Sequence, residues 1–272
     1  MPIQSTTKLQ PGTQAFEMAS KHVGDTLTIR VALPGSYEFT DAKYPVLYVL
    51  DGDASFGLAT TVMAYINLGA NFGMGRNIPE MIIVSIGYER GGIPWLLTRV
   101  RDFTPTVDPT FNYDNPSLHV PQSGSAESFY KFILEELNPF LNTQYRVDPT
   151  LNVLATHSMG GTFAAYTLFH EKQVFQKYLM ACPFVGWDNR VLFRVQEEYA
   201  KEHRQLKADV FLTVTGTEPT KPYIEEVNDF YQALVKTGYE DFHCSLKTYP
   251  EDNHFSVWAK AFIDGLAYLF NV

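Results

Sequence analysis

The stretch Asn152-Val153-Leu154-Ala155-Thr156-His157-Ser158-Met159-Gly160-Gly161 decides the fold, because an apolar run changes there into a helical pattern. The apolar run is typical of a buried strand, and residues 162–169 have the composition of a helix packed on a sheet. Ser158 therefore falls on the turn between strand and helix. A serine on such a turn is held in strained backbone with its hydroxyl exposed, an arrangement called a nucleophile elbow.

Four neighbours of the serine bear on this interpretation. Gly160 and Gly161 suit a turn where side chains would crowd the adjacent strands, and the N–H of Met159 could face a developing oxyanion. Thr156 stands where the G-x-S-x-G pattern has its first glycine, a small and strand-compatible replacement. The alternative is that Ser-Met-Gly-Gly is only a helix N-cap with a glycine-rich start.

Composition limits the class of protein. The 272 residues suit a single α/β domain spanning 1–272, and 45% hydrophobic residues suffice for a large core. The formal net charge of −9 argues against nucleic acids and anionic membranes as partners, because carboxylates dominate the surface. A small-molecule ester or amide substrate is compatible with this charge.

The start of the chain has no apolar core of the kind a signal peptide needs, and no later run is long enough to span a bilayer. We therefore expect a cytoplasmic location. Cys182 and Cys244 are expected to be buried thiols or, alternatively, one disulfide. The sequence has no Cys/His cluster with zinc spacing, so it predicts neither a metal nor another cofactor.

After a polar leader and an outer antiparallel strand at 26–33, apolar runs and helical patterns alternate along the chain. This alternation predicts a three-layer α/β fold with a mostly parallel central sheet and helices on both faces. The predicted buried strands cover residues 44–50, 81–86, 152–156, 175–182, 209–215 and 242–249, and the predicted helices cover 60–68, 127–142, 223–235 and a C-terminal segment ending near residue 270.

Asp51-Gly52-Asp53 follows the first of these buried strands. Hydrolases with a nucleophile elbow take their second oxyanion donor from the loop after such a strand, so the N–H of Asp53 is the candidate. The alternative is a divalent-cation site, but the further ligands of an EF-hand-like loop are lacking.

Residues 93–125 show no sustained period, so we predict a long lid or binding loop over 89–125. Arg99, Arg101 and Asp102 could pair with one another and pin this loop, or Arg101 could bind an anionic substrate group. Trp187, which follows another strand, could line an acyl pocket or simply pack under the next helix.

Active sites of open α/β sheets lie at the carboxyl ends of the strands. Three such ends carry Ser158, Glu218 and His254, in the chain order that hydrolases of this fold use. Serine needs a base to take its proton, and a carboxylate orients that base. Glu225, Glu226 and Asp252 are alternative acids. The remaining histidines, His22, His119, His157, His170, His203 and His243, are assigned surface or structural roles, and we expect His157 to point away from the serine.

The chain resembles the putative-esterase family of α/β-hydrolases, which includes esterase D, enterochelin-esterase-like siderophore hydrolases, feruloyl esterases and mycolyltransferases. The resemblance runs from about residue 26 to the C-terminus. It is carried by residues 44–53, Arg101-Asp102-Phe103-Thr104-Pro105, His157-Ser158-Met159-Gly160-Gly161 with Pro183 and Trp187, and His254. The Arg-Asp-Phe-Thr-Pro segment is most similar to the siderophore-esterase-like branch.

These observations favour a serine carboxylic-ester hydrolase that acts through an acyl-enzyme. An acyltransferase with the same serine is an alternative, since only the acceptor differs. A catalytically silent binding protein that retains the fold is another.

Overall fold

Eight strands form one sheet in the computed structural model, which describes residues 12–74, 78–111, 122–220 and 222–271. The strands are β1 (Thr13–Ser20), β2 (Asp25–Ala32), β3 (Tyr44–Val49), β4 (Ile82–Gly87), β5 (Val147–His157), β6 (Lys177–Ala181), β7 (Gln205–Thr217) and β8 (Glu240–Asn253). Their order across the sheet is β1-β2-β4-β3-β5-β6-β7-β8. β1 and β2 are antiparallel to their neighbours and the remaining pairs are parallel. The predicted mostly parallel sheet with an outer antiparallel strand is confirmed.

Helices connect the parallel strands. They are α1 (Gly52–Asn71), α2 (Gly92–Phe103), α3 (Ala126–Lys131), α4 (Asn138–Gln144), α5 (Met159–Leu168), α6 (Trp187–Glu202), α7 (Pro222–Thr237) and α8 (Trp258–Leu269), with a π-helical segment, Phe132–Leu137, between α3 and α4. Helix α8 packs on β6 and β7 and contacts α1, whereas α5 contacts α2, α3 and α6. The two groups of helices cover the two faces of the sheet and give the predicted three layers.

The central strands are apolar because both faces are covered. Every residue of β3 and β4 is buried, and such strands read as continuous apolar runs rather than alternating ones. The carboxyl ends of the parallel strands from β3 to β8 lie along one edge of the sheet, so the loops that follow them are brought together there.

Two sequence predictions are wrong. The segment before β2 was expected to be a polar leader, but Thr13–Ser20 is an edge strand whose residues are mostly exposed or half-buried, so its composition stays polar. Residues 93–125 were expected to lack regular structure, but their first part is helix α2. Arg99 and Asp102 lie on the buried face of this helix, and charged residues there hide the apolar period.

The rest of the predicted lid is irregular where the structure describes it, and residues 112–121, with His119, lie outside the described residues. The two described flanks are joined: Gly124 N–H donates to Thr104 Oγ1 at 2.8 Å, and Ser125 N–H donates to Arg101 O at 2.9 Å. Cys182 and Cys244 are free thiols. In the described part of the chain, the helices are all too short or too polar to cross a membrane.

Candidate active site

Ser158 lies between β5 and α5 with φ 59° and ψ −122°, a backbone conformation that a non-glycine residue adopts only under strain. The surrounding backbone fixes it: Ser158 N–H donates to Ala181 O at 2.9 Å, and Gly161 N–H donates to Ser158 O at 2.8 Å. A Cβ on Gly161 would lie 2.5 Å from Cβ of Pro183, so a side chain is excluded there. The strained strand-to-helix turn expected from the sequence is therefore present.

Thr156 fits in place of the missing glycine. It is fully buried, and its hydroxyl donates to Leu179 O on β6 at 3.0 Å, so no polar atom is left unpaired. Its Cβ lies 3.3 Å from the position that a Cβ on Gly160 would occupy. The threonine is compatible with the elbow because Gly160, four residues later, has no side chain to occupy the space beside it.

Glu218 and His254 are in direct contact. Glu218 Oε2 lies 2.5 Å from His254 Nδ1, and their side chains are 0% and 6% exposed. The other carboxylate oxygen, Oε1, accepts hydrogen bonds from Thr215 N–H at 2.9 Å and Thr215 Oγ1 at 2.7 Å. Burial raises the pKa of Glu218, but the hydrogen bonds from His254 and Thr215 outweigh it and hold this pKa below its usual range.

The other candidate acids have different surroundings. Asp252 pairs with Lys260 at 2.7 Å and accepts a hydrogen bond from Ser256 at 2.9 Å. Glu225 is exposed on α7, and Glu226 lies in the cavity beside Ser158. Glu218 is therefore the acid of this set that the structure brings to His254.

Tyr223 was not predicted and lies beside the candidate serine. Its hydroxyl donates to Cys182 O at 2.6 Å and contacts the Ser158 hydroxyl, and its ring lies edge-on to that of His254 at 5.4 Å. Burial raises the pKa of Tyr223 well above its usual range, so the phenol stays protonated. The hydrogen bonds among the described residues do not include one between Ser158 and His254, a contact that often forms only with substrate bound.

The two candidate oxyanion donors lie at helix starts. Met159 is the first residue of α5 and Asp53 belongs to the first turn of α1, where backbone N–H groups point away from the helix. The Asp53 carboxylate accepts hydrogen bonds from Tyr88 N–H at 2.8 Å and Arg30 Nη1 at 3.0 Å. These bonds tie the start of α1 to β2 and to the loop after β4.

Ser158 opens into a cavity of about 450 Å³, which adjoins a second of about 490 Å³. Trp187 lines the second cavity, is 1% exposed and donates from Nε1 to Thr106 O at 3.1 Å. The walls shared by both cavities are Asp108, Thr110, Phe111, Phe184, Gly186 and Glu226.

Arg99 and Arg101 of α2 were predicted to pair with Asp102. The structure pairs them with two further acids, Asp51 and Asp25. Arg99 binds Asp51 through both oxygens, with Nε–Oδ1 at 2.6 Å and Nη2–Oδ2 at 2.9 Å. Arg101 binds Asp102 at 2.7 Å and Asp25 at 3.1 Å. Arg101 is not among the described residues that line the cavity at Ser158, and its substrate-binding role stays a prediction.

One group of metal-ligating side chains lies close together in the described ranges. Cys182, Glu218 and His254 each offer a ligand atom, and these atoms lie within 4.8 Å of one another. Glu218 and His254 are already hydrogen-bonded, and burial raises the pKa of the Cys182 thiol well above its usual range. Because Glu218 Oε2 and His254 Nδ1 are bound to each other, the arrangement fits a hydrogen-bonded acid–base pair.

Known proteins match nearly the whole chain. The model of the family described as "Putative esterase" matches residues 20–269. The chain is 25% identical to ferri-bacillibactin esterase BesA of Bacillus subtilis over 252 residues, which cover 91% of this chain and 86% of that protein. It is also 25% identical to the siderophore enterobactin esterase of Emericella nidulans over 300 residues, with 97% of each covered.

Solved structures agree with the sequence matches. The structure of the BES protein from Bacillus cereus superposes with a TM-score of 0.85 and 26% identity, over 98% of this chain and 99% of that one. An IroE-like serine hydrolase from Shewanella oneidensis gives a TM-score of 0.81 and 27% identity, over 95% and 80%. The chain has the α/β-hydrolase fold, belongs to the putative-esterase family, and is an ester hydrolase.

Proposed function

We propose that the protein hydrolyses carboxylic esters through an acyl-enzyme on Ser158, with His254 as general base and acid and Glu218 as the residue that orients His254. One observation supports this assignment above the others. The Glu218–His254 hydrogen bond of 2.5 Å lies at the same sheet edge as the strained Ser158 elbow, which opens into a cavity. Serine, base and acid are the three groups that acyl transfer needs.

In the first half of the reaction, Ser158 Oγ attacks the ester carbonyl carbon while His254 Nε2 takes the hydroxyl proton. The N–H groups of Met159 and Asp53 stabilise the resulting oxyanion. His254 then passes its proton to the departing alkoxide, which leaves as the alcohol. The carbonyl forms again and the acyl group remains bonded to Ser158.

Water completes the cycle. His254 takes one proton from water as its oxygen attacks the acyl carbon, and the same proton returns to Ser158 Oγ when the carboxylic acid is released. Glu218 is ionised throughout because its pKa lies below its usual range. Its charge stabilises the imidazolium form of His254 in both halves.

The proposed substrates are ester-linked siderophores. This proposal rests on the names of the relatives, which are esterases for ferri-bacillibactin, for siderophore enterobactin and for siderophore triacetylfusarinine C. The two adjoining cavities at Ser158, with aromatic walls that include Phe111 and Phe184, offer more room than a short acyl chain needs.

The test compares the purified protein with Ser158→Ala on a panel of iron-free and iron-loaded siderophore lactones, feruloyl esters and short p-nitrophenyl esters. We expect the largest kcat/KM on a siderophore and a loss of at least about 10³-fold in kcat in Ser158→Ala. Ser245→Ala, in the first half of β8, is the matched control and should retain full activity. Turnover that survives in Ser158→Ala contradicts the mechanism, and a preference for short esters contradicts the substrate class alone.

A further inference from the structure

His157 points towards the residue that the proposed mechanism uses as its base. The sequence suggested that this histidine would face away from the site. Instead, its Nε2 lies 2.6 Å from the backbone oxygen of His254. The two imidazole rings are 4.8 Å apart between centroids, and the ring of Trp258 is 5.9 Å from that of His157.

The proton on His157 can be placed from its partner. A carbonyl oxygen only accepts hydrogen bonds, so Nε2 must carry the hydrogen and donate it. Burial, with the nearby His254 as a second cause, lowers the pKa of His157 to about 3. The ring is therefore neutral at every pH at which an esterase of this kind works, and it remains a fixed donor rather than a second base.

The backbone of His157 is also held. Its carbonyl oxygen accepts a hydrogen bond from Arg99 Nη2 at 3.4 Å, and Arg99 is itself bound to Asp51 by two hydrogen bonds. His157 is the last residue of β5 and pairs with Ala181 on β6. The His157 donor is therefore held by the central sheet, one residue before Ser158.

His254 is held by contacts of its own backbone and ring. The His254 N–H donates to Thr217 O at 3.1 Å, the ring Nδ1 contacts Glu218, and the backbone oxygen accepts from His157. Two of these contacts come from the last residue of β7, Thr217, and from Glu218, which follows it. The contact from His157 comes from the elbow, and it links the position of the base to that of the serine.

We infer that His157 is a positioning residue that sets the distance between His254 and Ser158 through its hydrogen bond to the His254 carbonyl oxygen. The inference rests on the proposed function, because it assigns a role relative to that serine and that base. The expected effect on the rate comes from geometry, because a misplacement of about 1 Å between nucleophile and base can cost about 100-fold in rate.

The test uses two substitutions of similar length. In His157→Gln the side-chain amide nitrogen stands as many bonds from the backbone as Nε2 does, so the hydrogen bond to His254 is kept. In His157→Met the length is kept and the donor is lost. Active sites are counted by titration with a fluorophosphonate, and kcat and KM are measured per titrated site together with the melting temperature.

We expect His157→Met to lower kcat per titrated site by about 10–100-fold with KM within about 3-fold, and His157→Gln to stay within about 3-fold of the parent protein. A residue needed only for folding would lower the titrated fraction or the melting temperature and leave kcat per site unchanged, which contradicts the inference. Equal losses in the two variants contradict it as well.

If His157→Met does not fold, His157→Asn replaces it, since the asparagine amide is polar but too short to reach His254. A spectroscopic readout is independent of turnover: the downfield proton of the Glu218–His254 hydrogen bond should shift or broaden in the variant without a donor and persist in His157→Gln. Activity in Ser158→Ala would contradict the proposed function, whereas an unchanged proton signal in a donor-free variant contradicts only the role of His157.

Discussion

Two buried carboxylates lie at the same edge of the sheet and bind different partners. Asp51 follows β3 and is 7% exposed at its side chain, and Glu218 follows β7 and is 0% exposed. Asp51 binds the guanidinium of Arg99, which stays charged at any working pH, whereas Glu218 binds the imidazole of His254, which can gain and lose a proton. The partner of the acid, and not its burial, distinguishes the structural pair from the pair that we propose to be catalytic.

The largest effect should come from Glu218→Gln. An amide in place of the carboxylate favours the wrong tautomer of His254 and removes the charge that stabilises its imidazolium form, so we expect kcat to fall by about 10³–10⁴-fold. Steady-state kinetics on one siderophore and one p-nitrophenyl ester measure it. Glu225→Gln, on the exposed face of α7, is the control. A loss below about 10-fold would separate Glu218 from the reaction.

Asp51→Asn should instead act on stability. Removing one partner of a buried ion pair leaves the charge of Arg99 uncompensated, so the free energy of unfolding should fall by about 3–5 kcal/mol. Urea denaturation measures this change. The double variant Asp51→Asn, Arg99→Met should regain much of the loss because it buries no charge. A larger loss of stability in Glu218→Gln than in Asp51→Asn would reverse the comparison.

His157 contacts the partners of both carboxylates, Arg99 and His254. Its own titration predicts how the stability of the protein depends on pH. Its pKa is about 3 in the folded protein, lowered by burial with contributions from His254 and Arg99, and about 6.5 when unfolded. Between pH 3 and pH 6.5, His157 therefore binds a proton in the unfolded chain but not in the folded one. The stability that His157 contributes is fully present above pH 6.5 and is lost as pH falls towards 3.

Between pH 7 and pH 4.5 this residue should account for about 2–3 kcal/mol of lost stability. Comparing the free energy of unfolding of the parent protein and His157→Gln at both pH values isolates it, because the carboxylates titrate alike in both. The variant should lose less stability on acidification than the parent protein. Equal losses would show that His157 is not buried in its neutral form.

The smallest effect is expected at Tyr223. Tyr223→Phe removes the hydrogen bond to Cys182 O and the contact with the Ser158 hydroxyl but keeps the ring against His254. Loss of one neutral hydrogen bond predicts a decrease of about 2–10-fold in kcat/KM. A decrease as large as that of Glu218→Gln would instead place the phenol in the proton relay.

The sequence was informative where one local signal suffices. Continuous apolar runs predicted the central strands because burial on both faces leaves no polar positions, and the ends of those strands located Ser158, Glu218 and His254. Helix α2 was missed because Arg99, Arg101 and Asp102 interrupt its apolar face while their charges are paired inside the protein. Strand β1 was missed because an edge strand exposed to water need not be apolar.

The contacts of His157 and Tyr223 could not be read from local pattern. His157 meets a residue 97 positions later in the chain, and Tyr223 meets Cys182 from 41 positions away. Such contacts depend on the order and register of the strands. The only available sequence signal was the position of His157 directly beside the serine, which indicates proximity to the site but not the direction of the side chain.

The most direct test of the central claim is to trap the covalent intermediate. The protein is treated with a fluorophosphonate and, separately, with a slowly deacylating ester, and the adduct is located by intact-mass measurement and peptide mapping. We expect one adduct per chain, on Ser158, formed slowly in Glu218→Gln and absent in Ser158→Ala. An adduct on another residue, or ester turnover with no adduct at all, would contradict it.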